Sequence, residues 1–311
     1  MSGKTIDARK LGGILSRDFT INRSLYAMAL PVLVYFIIFS YVPMYGVTIA
    51  FKRYNPSLGI LGSPWTGFEN FKNFFSSYYF WRLIRNTLVI NLQNLAFGFP
   101  APIVLALLIN ELRGQAFKRT VQTISYIPHF VSTVVIAGII IDFARTDGLI
   151  NTWIVALGGT AGNLLTRPEL FRTIFVGSGI WQEVGFGSII YLAAIMGINP
   201  ELYESSRIDG AGRWGQLLHI TLPSIAPTII ILLILRMGSM MNVGFEKIIL
   251  LYNAMTYETA DVISSFVYRK GLLEADYSYS TAVGLFNSLI NFTLLLLANR
   301  LSRGINETSL W

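Results

Sequence analysis

The sequence of 311 residues contains no cysteine and only two histidines, His129 and His219, which lie far apart in the chain. Without cysteine the chain forms no disulfide and carries no thiol chemistry, and two distant histidines argue against a histidine-based metal site. Charged residues make up only 13% of the chain, whereas a soluble domain averages about 25%. Because hydrophobic residues reach 53% and the mean hydropathy is +0.54, the composition predicts a membrane protein.

Two further absences narrow the function. The sequence has no G-x-x-x-x-G-K-[ST] pattern, so it lacks the loop with which a P-loop protein holds ATP phosphates. The net charge is +7, but no basic stripe with interleaved aromatics indicates nucleic-acid binding. A membrane protein that faces anionic lipid accounts for this charge. If ATP drives the protein, a different polypeptide must bind it.

Long apolar runs divide the chain into six predicted membrane spans, since about 20 apolar residues cross a bilayer. The predicted spans cover residues 25–51, 84–110, 124–143, 171–196, 223–242 and 281–300. They form one transmembrane domain over 25–303, flanked by the predicted tails 1–24 and 304–311. Basic residues in the short loop after the second span place that loop, and therefore both tails, in the cytoplasm. The predicted fold is an all-α, polytopic membrane protein.

Glycine, proline and aromatic residues predict local features of two spans and of one connecting segment. Pro100 and Pro102 predict a break or kink in the second span. The fourth span is predicted to pack centrally because small residues let helices approach closely; these are Gly177, Gly179, Gly185 and Gly187. Residues 52–83 are rich in aromatics, Gly and Pro, and fit either an interfacial aromatic belt or a docking surface for an external partner.

A polar loop over 199–222 interrupts the apolar runs. Asn199 and Pro200 predict the start of a helix, while Gly210 and Gly212 end its helical pattern. The loop is therefore predicted to form a helix, a glycine elbow and a second helix, a shape that can dock into a groove of a soluble partner. Gly210, Gly212 and Gly215 also spell G-x-G-x-x-G, but an apolar span follows them where dinucleotide binding requires a βα unit, which argues against that function.

The spacing within this loop resembles a family signature. Glu204, Gly210 six positions further on, and the sequence Ile220-Thr-Leu-Pro223 match the E-A-A, G and I-x-L-P positions of ABC importer permeases. Ser205 and Ser206 stand where the family has two alanines. Residues 30–71 and 181–214 are also similar to maltose-type sugar permeases of complex oligosaccharides, in the branch that handles alginate and pectin fragments.

This resemblance implies a type I permease fold and a non-catalytic permease subunit that brings a complex, acidic oligosaccharide across the bacterial cytoplasmic membrane. It implies as partners a second permease, two ATPase subunits that bind ATP and Mg, and an extracytoplasmic solute-binding protein. This chain itself would hold no cofactor and no metal. The residues that would couple to the ATPase are Glu204, Ser205, Ser206, Arg207, Asp209, Gly210, Ala211, Gly212, Arg213, Leu222 and Pro223.

Ionisable residues inside predicted spans point to a substrate path, because such residues are costly in a bilayer. Glu183 and Arg236 either pair with each other or line the path, where an arginine would bind a sugar carboxylate. The other candidates are Trp181, Gln182, Asn242, Asn287 and Asn291, which could bind sugar hydroxyls or join helices. The competing functions are a membrane-embedded enzyme, which lacks a catalytic cluster, and a stand-alone secondary transporter or channel for a polar solute.

Overall fold

The computed structural model describes residues 21–306, so most of the two predicted tails lies outside the described residues. Long helices dominate this part of the chain, and one isolated β-bridge joins Lys52 to Trp65. Five helices are long and apolar enough to cross a membrane, and a bent helix pair makes a sixth span. The spans are Arg23–Phe51, Tyr79–Glu111, Gln115–Phe130 with Thr133–Ala156, Pro168–Met196, Arg213–Gly238 and Tyr277–Arg303.

The third span, which the sequence placed over 124–143, is broken. Its two halves meet at an angle of 101°. Pro128 lies in a 3-10 turn that closes the first half, and a proline supplies no N–H to continue a helical ladder. Ser132 then starts the second half, since its hydroxyl accepts a hydrogen bond from the backbone N–H of Val135 at 3.4 Å. The chain therefore turns sharply within the span.

The second span continues past its two prolines. The expected break takes the form of a π turn over Asn94–Gly98 just before Pro100, and the helix Pro100–Glu111 follows. The N–H of Phe99 donates to the carbonyl of Asn94 at 2.9 Å, a wider spacing that removes the need for a donor at the proline. The helix is wider at this turn but continues as one span of 33 residues.

Short helices cover the end of the molecule opposite the 199–222 loop, which we call the outer end. They are Gly59–Gly62, Glu69–Phe75, Leu149–Ala156, Phe245–Leu251, Tyr257–Ala260 and Ile263–Tyr268. The N–H of Tyr54 donates to the hydroxyl of Ser278 at 2.8 Å, and Asn253 donates to the carbonyl of Leu165 at 2.9 Å. Segments distant in sequence are therefore bonded together at this end.

At the outer end, arginines from two segments bond to one buried carboxylate. Asp261 has no exposed surface and accepts hydrogen bonds from Arg82 at 3.2 Å and from Arg269 at 2.8 Å. Asn86 donates to the backbone carbonyl of Asp261 at 2.9 Å and accepts from Arg172 at 2.7 Å. This cluster, which we call the Asp261 cluster, links the second span, the fourth span and the segment before the sixth.

Three apolar clusters form the core. The first joins the fourth span and the second half of the third with the helix Phe245–Leu251, and it includes Phe171 and Ile248. The second packs Phe74 and Phe266 against the sixth span. The third lies near the 199–222 loop and includes Ile109 and Ile225. These clusters place the fourth span among the others, and glycines permit its closest contacts.

Gly185 and Gly187 account for the central position of the fourth span. A Cβ at Gly185 would lie 1.9 Å from the carbonyl oxygen of Ser125, and one at Gly187 would lie 3.2 Å from the ring of Pro102. A Cβ at Gly179 would meet only the ammonium of Lys247, at 3.7 Å, and a Cβ at Gly177 would meet nothing within 4 Å. Close helix approach was therefore the correct expectation for Gly185 and Gly187.

Candidate functional site

The polar loop begins with the helix Pro200–Ile208, as the sequence predicted. Asn199 caps it, because its side-chain oxygen accepts from the backbone N–H of Glu201 at 3.0 Å. The helix ends in a Schellman motif: the N–H of Ala211 donates to Ser206 O at 2.8 Å, and that of Gly210 donates to Arg207 O at 3.1 Å.

Gly210 occupies the left-handed region with φ +80°, where a side chain is unfavourable. The sequence left open whether glycine is needed here for a special backbone conformation or for the close approach of another group. Within the described chain a Cβ at this position would meet nothing within 4 Å. The backbone conformation, and not internal crowding, accounts for the glycine.

The second half of the loop is continuous with the fifth span. The helix Arg213–Gln216 passes through a π turn, Leu217–Thr221, into the helix Leu222–Gly238. The sequence placed the start of the fifth span at 223, but the helical segment begins at Arg213 because no residue between 213 and 222 breaks it. The second half of the loop and the fifth span therefore form one continuous helical segment.

Hydrogen bonds fix the first loop helix to the second. The amide of Gln216 donates to the hydroxyl of Ser206 at 3.0 Å and to the carbonyl of Tyr203 at 3.3 Å. The hydroxyl of Tyr203 lies 3.0 Å from that of Thr221. Ser206, where the family has alanine, thus contributes a bond that alanine cannot make.

Many side chains of the 199–222 loop are exposed. Ile208 is 88% exposed and Trp214 is 77% exposed, and large exposed apolar groups rimmed by polar ones mark interaction surfaces. Glu204, Ser205, Arg207 and Asp209 are also exposed, while Ala211 is half-buried. Arg213 lies 4.0 Å from Glu111 at the end of the second span. Leu222 packs in the third apolar cluster, and Pro223 occupies the first turn of the helix that follows.

A cavity of about 620 Å³ lies between the second, fourth and fifth spans and the start of the helix Phe245–Leu251. Four of the predicted substrate-path residues line it: Gln182, Glu183, Arg236 and Asn242. Its wall also contains Asn91, Asn94, Tyr191, Ser239 and Lys247, together with glycines and apolar residues of the three spans. The cavity therefore combines amides, two cationic side chains and one carboxylate.

Three predicted path residues lie elsewhere. Trp181 is 47% exposed and is not part of the cavity wall. Asn287 and Asn291 are buried in the sixth span, and both donate to the side-chain oxygen of Asn242, at 2.9 Å and 3.1 Å. Asn291 also accepts from the backbone N–H of Met241 at 2.7 Å. These two asparagines join helices and orient Asn242, whose amide N–H groups remain available as donors.

Glu183 does not pair with Arg236. Within residues 21–306, the carboxylate instead hydrogen-bonds His129, whose Nδ1 lies 2.9 Å from the carboxylate Oε2. Arg236 is exposed in the wall of the cavity. The alternative that Glu183 and Arg236 neutralise each other is therefore wrong, because the break in the third span brings a histidine to the carboxylate instead.

Lys247 is a cavity residue that the sequence interpretation missed. It lies in a segment assigned to the outside, yet it is only 8% exposed and donates to the carbonyl of Phe175 at 3.4 Å. Its ammonium also lies 5.3 Å from the Phe175 ring. Burial lowers the pKa of Lys247 to about 8, and the charge of Glu183 opposes this shift. A lysine next to the apolar run Ile-Ile-Leu-Leu was the available signal.

Comparisons with known proteins agree on one family. The family model described as "Binding-protein-dependent transport system inner membrane component" matches residues 98–307. The chain is 47% identical over 291 residues to the polygalacturonan/rhamnogalacturonan transport system permease protein YteP of Bacillus subtilis (strain 168), covering 93% of this chain and 91% of that one. It is 46% identical to Protein LplB of the same organism, covering 93% and 92%.

Solved structures extend the likeness to the whole fold. One is the crystal structure of a bacterial ABC transporter involved in the import of the acidic polysaccharide alginate, with a TM-score of 0.88 and 48% identity. The match covers 94% of this chain and 99% of that chain. A second is a bacterial alginate ABC transporter in complex with an alginate pentasaccharide-bound periplasmic protein, with a TM-score of 0.88 and 47% identity.

Proposed function

The chain belongs to the binding-protein-dependent transport system inner membrane components and is a multi-pass sugar permease of an ABC importer, and from this premise we propose that its cavity passes uronic-acid oligosaccharides. The relatives named for polygalacturonan and alginate transport support an acidic substrate. The expectation of a permease of an ABC sugar importer is thus confirmed, and the acidic substrate is the part that we propose.

The observation that carries the proposal is the charge of the cavity. Arg236 and Lys247 line it together, and the carboxylate of Glu183 is already bonded to His129. An arginine can bind a carboxylate through two parallel N–H bonds, and a lysine adds a compact charge. Two cations in one cavity suit a chain of sugars that carries a carboxylate on each residue.

Amides supply the contacts that a sugar hydroxyl needs. Gln182 and Asn242 line the same cavity as the two cations, and Asn287 and Asn291 hold the oxygen of Asn242. With its acceptor occupied, Asn242 presents its N–H groups to a ligand. The cavity therefore offers donors to hydroxyls beside cations for carboxylates.

We further propose that the 199–222 loop couples the spans to an ATPase. Its exposed Ile208 and Trp214 and its acid Glu204 form the surface that would enter a groove of that subunit. A second permease, two ATPase subunits that bind ATP and Mg, and an extracytoplasmic binding protein would complete the importer. In that assembly this chain contributes the path and the loop, and hydrolysis takes place on the ATPase.

The test compares anionic and neutral substrates in proteoliposomes that contain the complete transporter and its binding protein. Arg236→Gln and Lys247→Met should each reduce uptake of trigalacturonate about tenfold or more, because hydrogen bonds to charged groups contribute about 1.5–3 kcal/mol. Uptake of the methyl-esterified trisaccharide should change little. Arg300→Gln is the matched control, since Arg300 is exposed and lies outside the cavity wall.

The pKa of Lys247 gives a second readout. A bound carboxylate favours the charged ammonium, so binding is strongest below pH 8 and weakens as the pH rises through the free-state pKa of about 8. Lys247→Arg should retain the preference for the anion above that pH. Equal losses for both sugars in the Arg236 and Lys247 variants would contradict the assignment of the cavity to an acidic substrate.

A further inference from the structure

We propose that His129 is a specificity-determining residue of this cavity: it holds Glu183 by a hydrogen bond and so keeps the acid from competing with an anionic substrate for Arg236 and Lys247. The inference rests on the proposed function, because it concerns how the same cavity selects its ligand. No motif in the sequence singles out His129, and its role follows only from its contacts.

The contacts of His129 fix its ring on two sides. Nδ1 donates to Oε2 of Glu183 at 2.9 Å, since an ionised carboxylate can only accept. The ring also stacks on Phe186, with the centroids 3.9 Å apart and the planes only 2° from parallel. Glu183 and Phe186 are three residues apart and therefore share one face of the fourth span. One helix face thus both positions the histidine and receives its hydrogen bond.

The break in the third span places His129 at this face. His129 lies in the 3-10 turn Ile127–Phe130 that ends the first half of that span. Just before it, the backbone at Ser125 contacts the fourth span so closely that a Cβ at Gly185 would lie 1.9 Å from its carbonyl oxygen. Backbone packing therefore brings His129 to this face of the fourth span, where Phe186 and Glu183 contact its ring.

Charge explains why this bond matters for selection. The charged residues in the cavity wall are Glu183, Arg236 and Lys247. Glu183 is 58% exposed even with one oxygen engaged by His129, so its side chain has room to move. Released from His129, it could pair with either cation and occupy the group that a sugar carboxylate requires. A neutral sugar does not depend on these cations and would be affected much less.

The experiment measures the ratio of trigalacturonate uptake to methyl-esterified trigalacturonate uptake in proteoliposomes with the complete transporter. The binding protein is the same throughout, so its own preference cancels between variants. His129→Phe retains a ring for Phe186 but loses the donor, and the ratio should fall about tenfold, the effect of one hydrogen bond to a charged group. His129→Gln keeps a donor and should retain much of the ratio.

The decisive variant is the double substitution His129→Phe with Glu183→Gln. If the released carboxylate is the competitor, removing its charge should restore the ratio towards that of the wild type, although two residues have been changed. A purely structural histidine predicts no such rescue, because the double variant would be at least as impaired as His129→Phe for both sugars.

Three results would overturn the inference. The first is an unchanged ratio in His129→Phe, and the second is equal loss of both sugars without rescue by Glu183→Gln. The third is a wild-type transporter that shows no preference for the acid, which would remove the proposed function as well. A wild-type preference that survives in His129→Phe would refute only the role of the histidine.

Discussion

Replacing Gly210 separates backbone conformation from surface contact in the 199–222 loop. Gly210 has φ +80° and open space around its Cα within the chain. Alanine fits the space but disfavours the conformation, whereas asparagine is larger and tolerates the left-handed region better. We expect ATPase affinity to follow the order glycine, asparagine, alanine. Gly212→Ser is the control, because Gly212 has an ordinary φ of −74° at the start of a helix.

The magnitude follows from the cost of the left-handed conformation. A non-glycine residue there loses about 1–2 kcal/mol. If docking requires this conformation, Gly210→Ala should weaken ATPase binding about 5- to 30-fold, since each 1.4 kcal/mol is about tenfold. Gly210→Asn should lose less. Gly212→Ser should bind nearly as well as the wild type, because serine is a favoured residue at a helix start.

The assay is equilibrium binding of the purified ATPase to permease in lipid nanodiscs, with hydrolysis stimulated by the loaded binding protein as a second readout. The reasoning would be refuted if Gly210→Asn bound more weakly than Gly210→Ala. That order would show that the partner packs directly over Gly210 and that side-chain size decides. Full affinity in both variants would show that the elbow does not dock at all.

Two further predictions concern the scaffold. Asp261→Asn should lower the free energy of unfolding by about 3–5 kcal/mol, because it removes the buried charge that pairs with two partly buried arginines. The Tm of the purified protein in detergent measures this loss, and Asp147→Asn, at an exposed pair, should leave the Tm unchanged. Gly185→Ala should reduce the yield of folded protein, since its Cβ would lie 1.9 Å from Ser125 O. Gly177→Ala, whose Cβ would meet nothing within 4 Å, should not reduce the yield. A normal yield from Gly185→Ala would mean that the third and fourth spans separate at little cost.

Local features of the loop could be predicted because neighbouring residues determine them. Asn199 and Pro200 start a helix by capping and a fixed φ, and Gly210 adopts the conformation that few other residues tolerate. The apolar runs likewise predicted helices in the right parts of the chain. The coupling role of the loop stays a prediction.

The cavity could be predicted only in part. Gln182, Glu183, Arg236 and Asn242 were found because polar residues within apolar runs are conspicuous. Lys247 in the wall, and His129 beside it as the partner of Glu183, were missed because their contacts join residues 72 and 54 positions apart, and no local pattern reports such a pairing. The close approach of the third span to the fourth, at Ser125 and Gly185, likewise joins residues that no local pattern connects.

The Asp261 cluster makes the two ends of the molecule differ in how firmly their charged side chains are held. At the outer end, buried charges tie the second and fourth spans to the segment before the sixth, whereas at the loop end Arg213 and Glu111 meet at 4.0 Å with both side chains largely exposed. The fourth span, of 29 residues, is about 43 Å long at 1.5 Å per residue. If the fourth span pivots about the Asp261 cluster, a tilt of about 5° there would displace the loop by almost 4 Å, within the range of known helix shifts of about 1–5 Å.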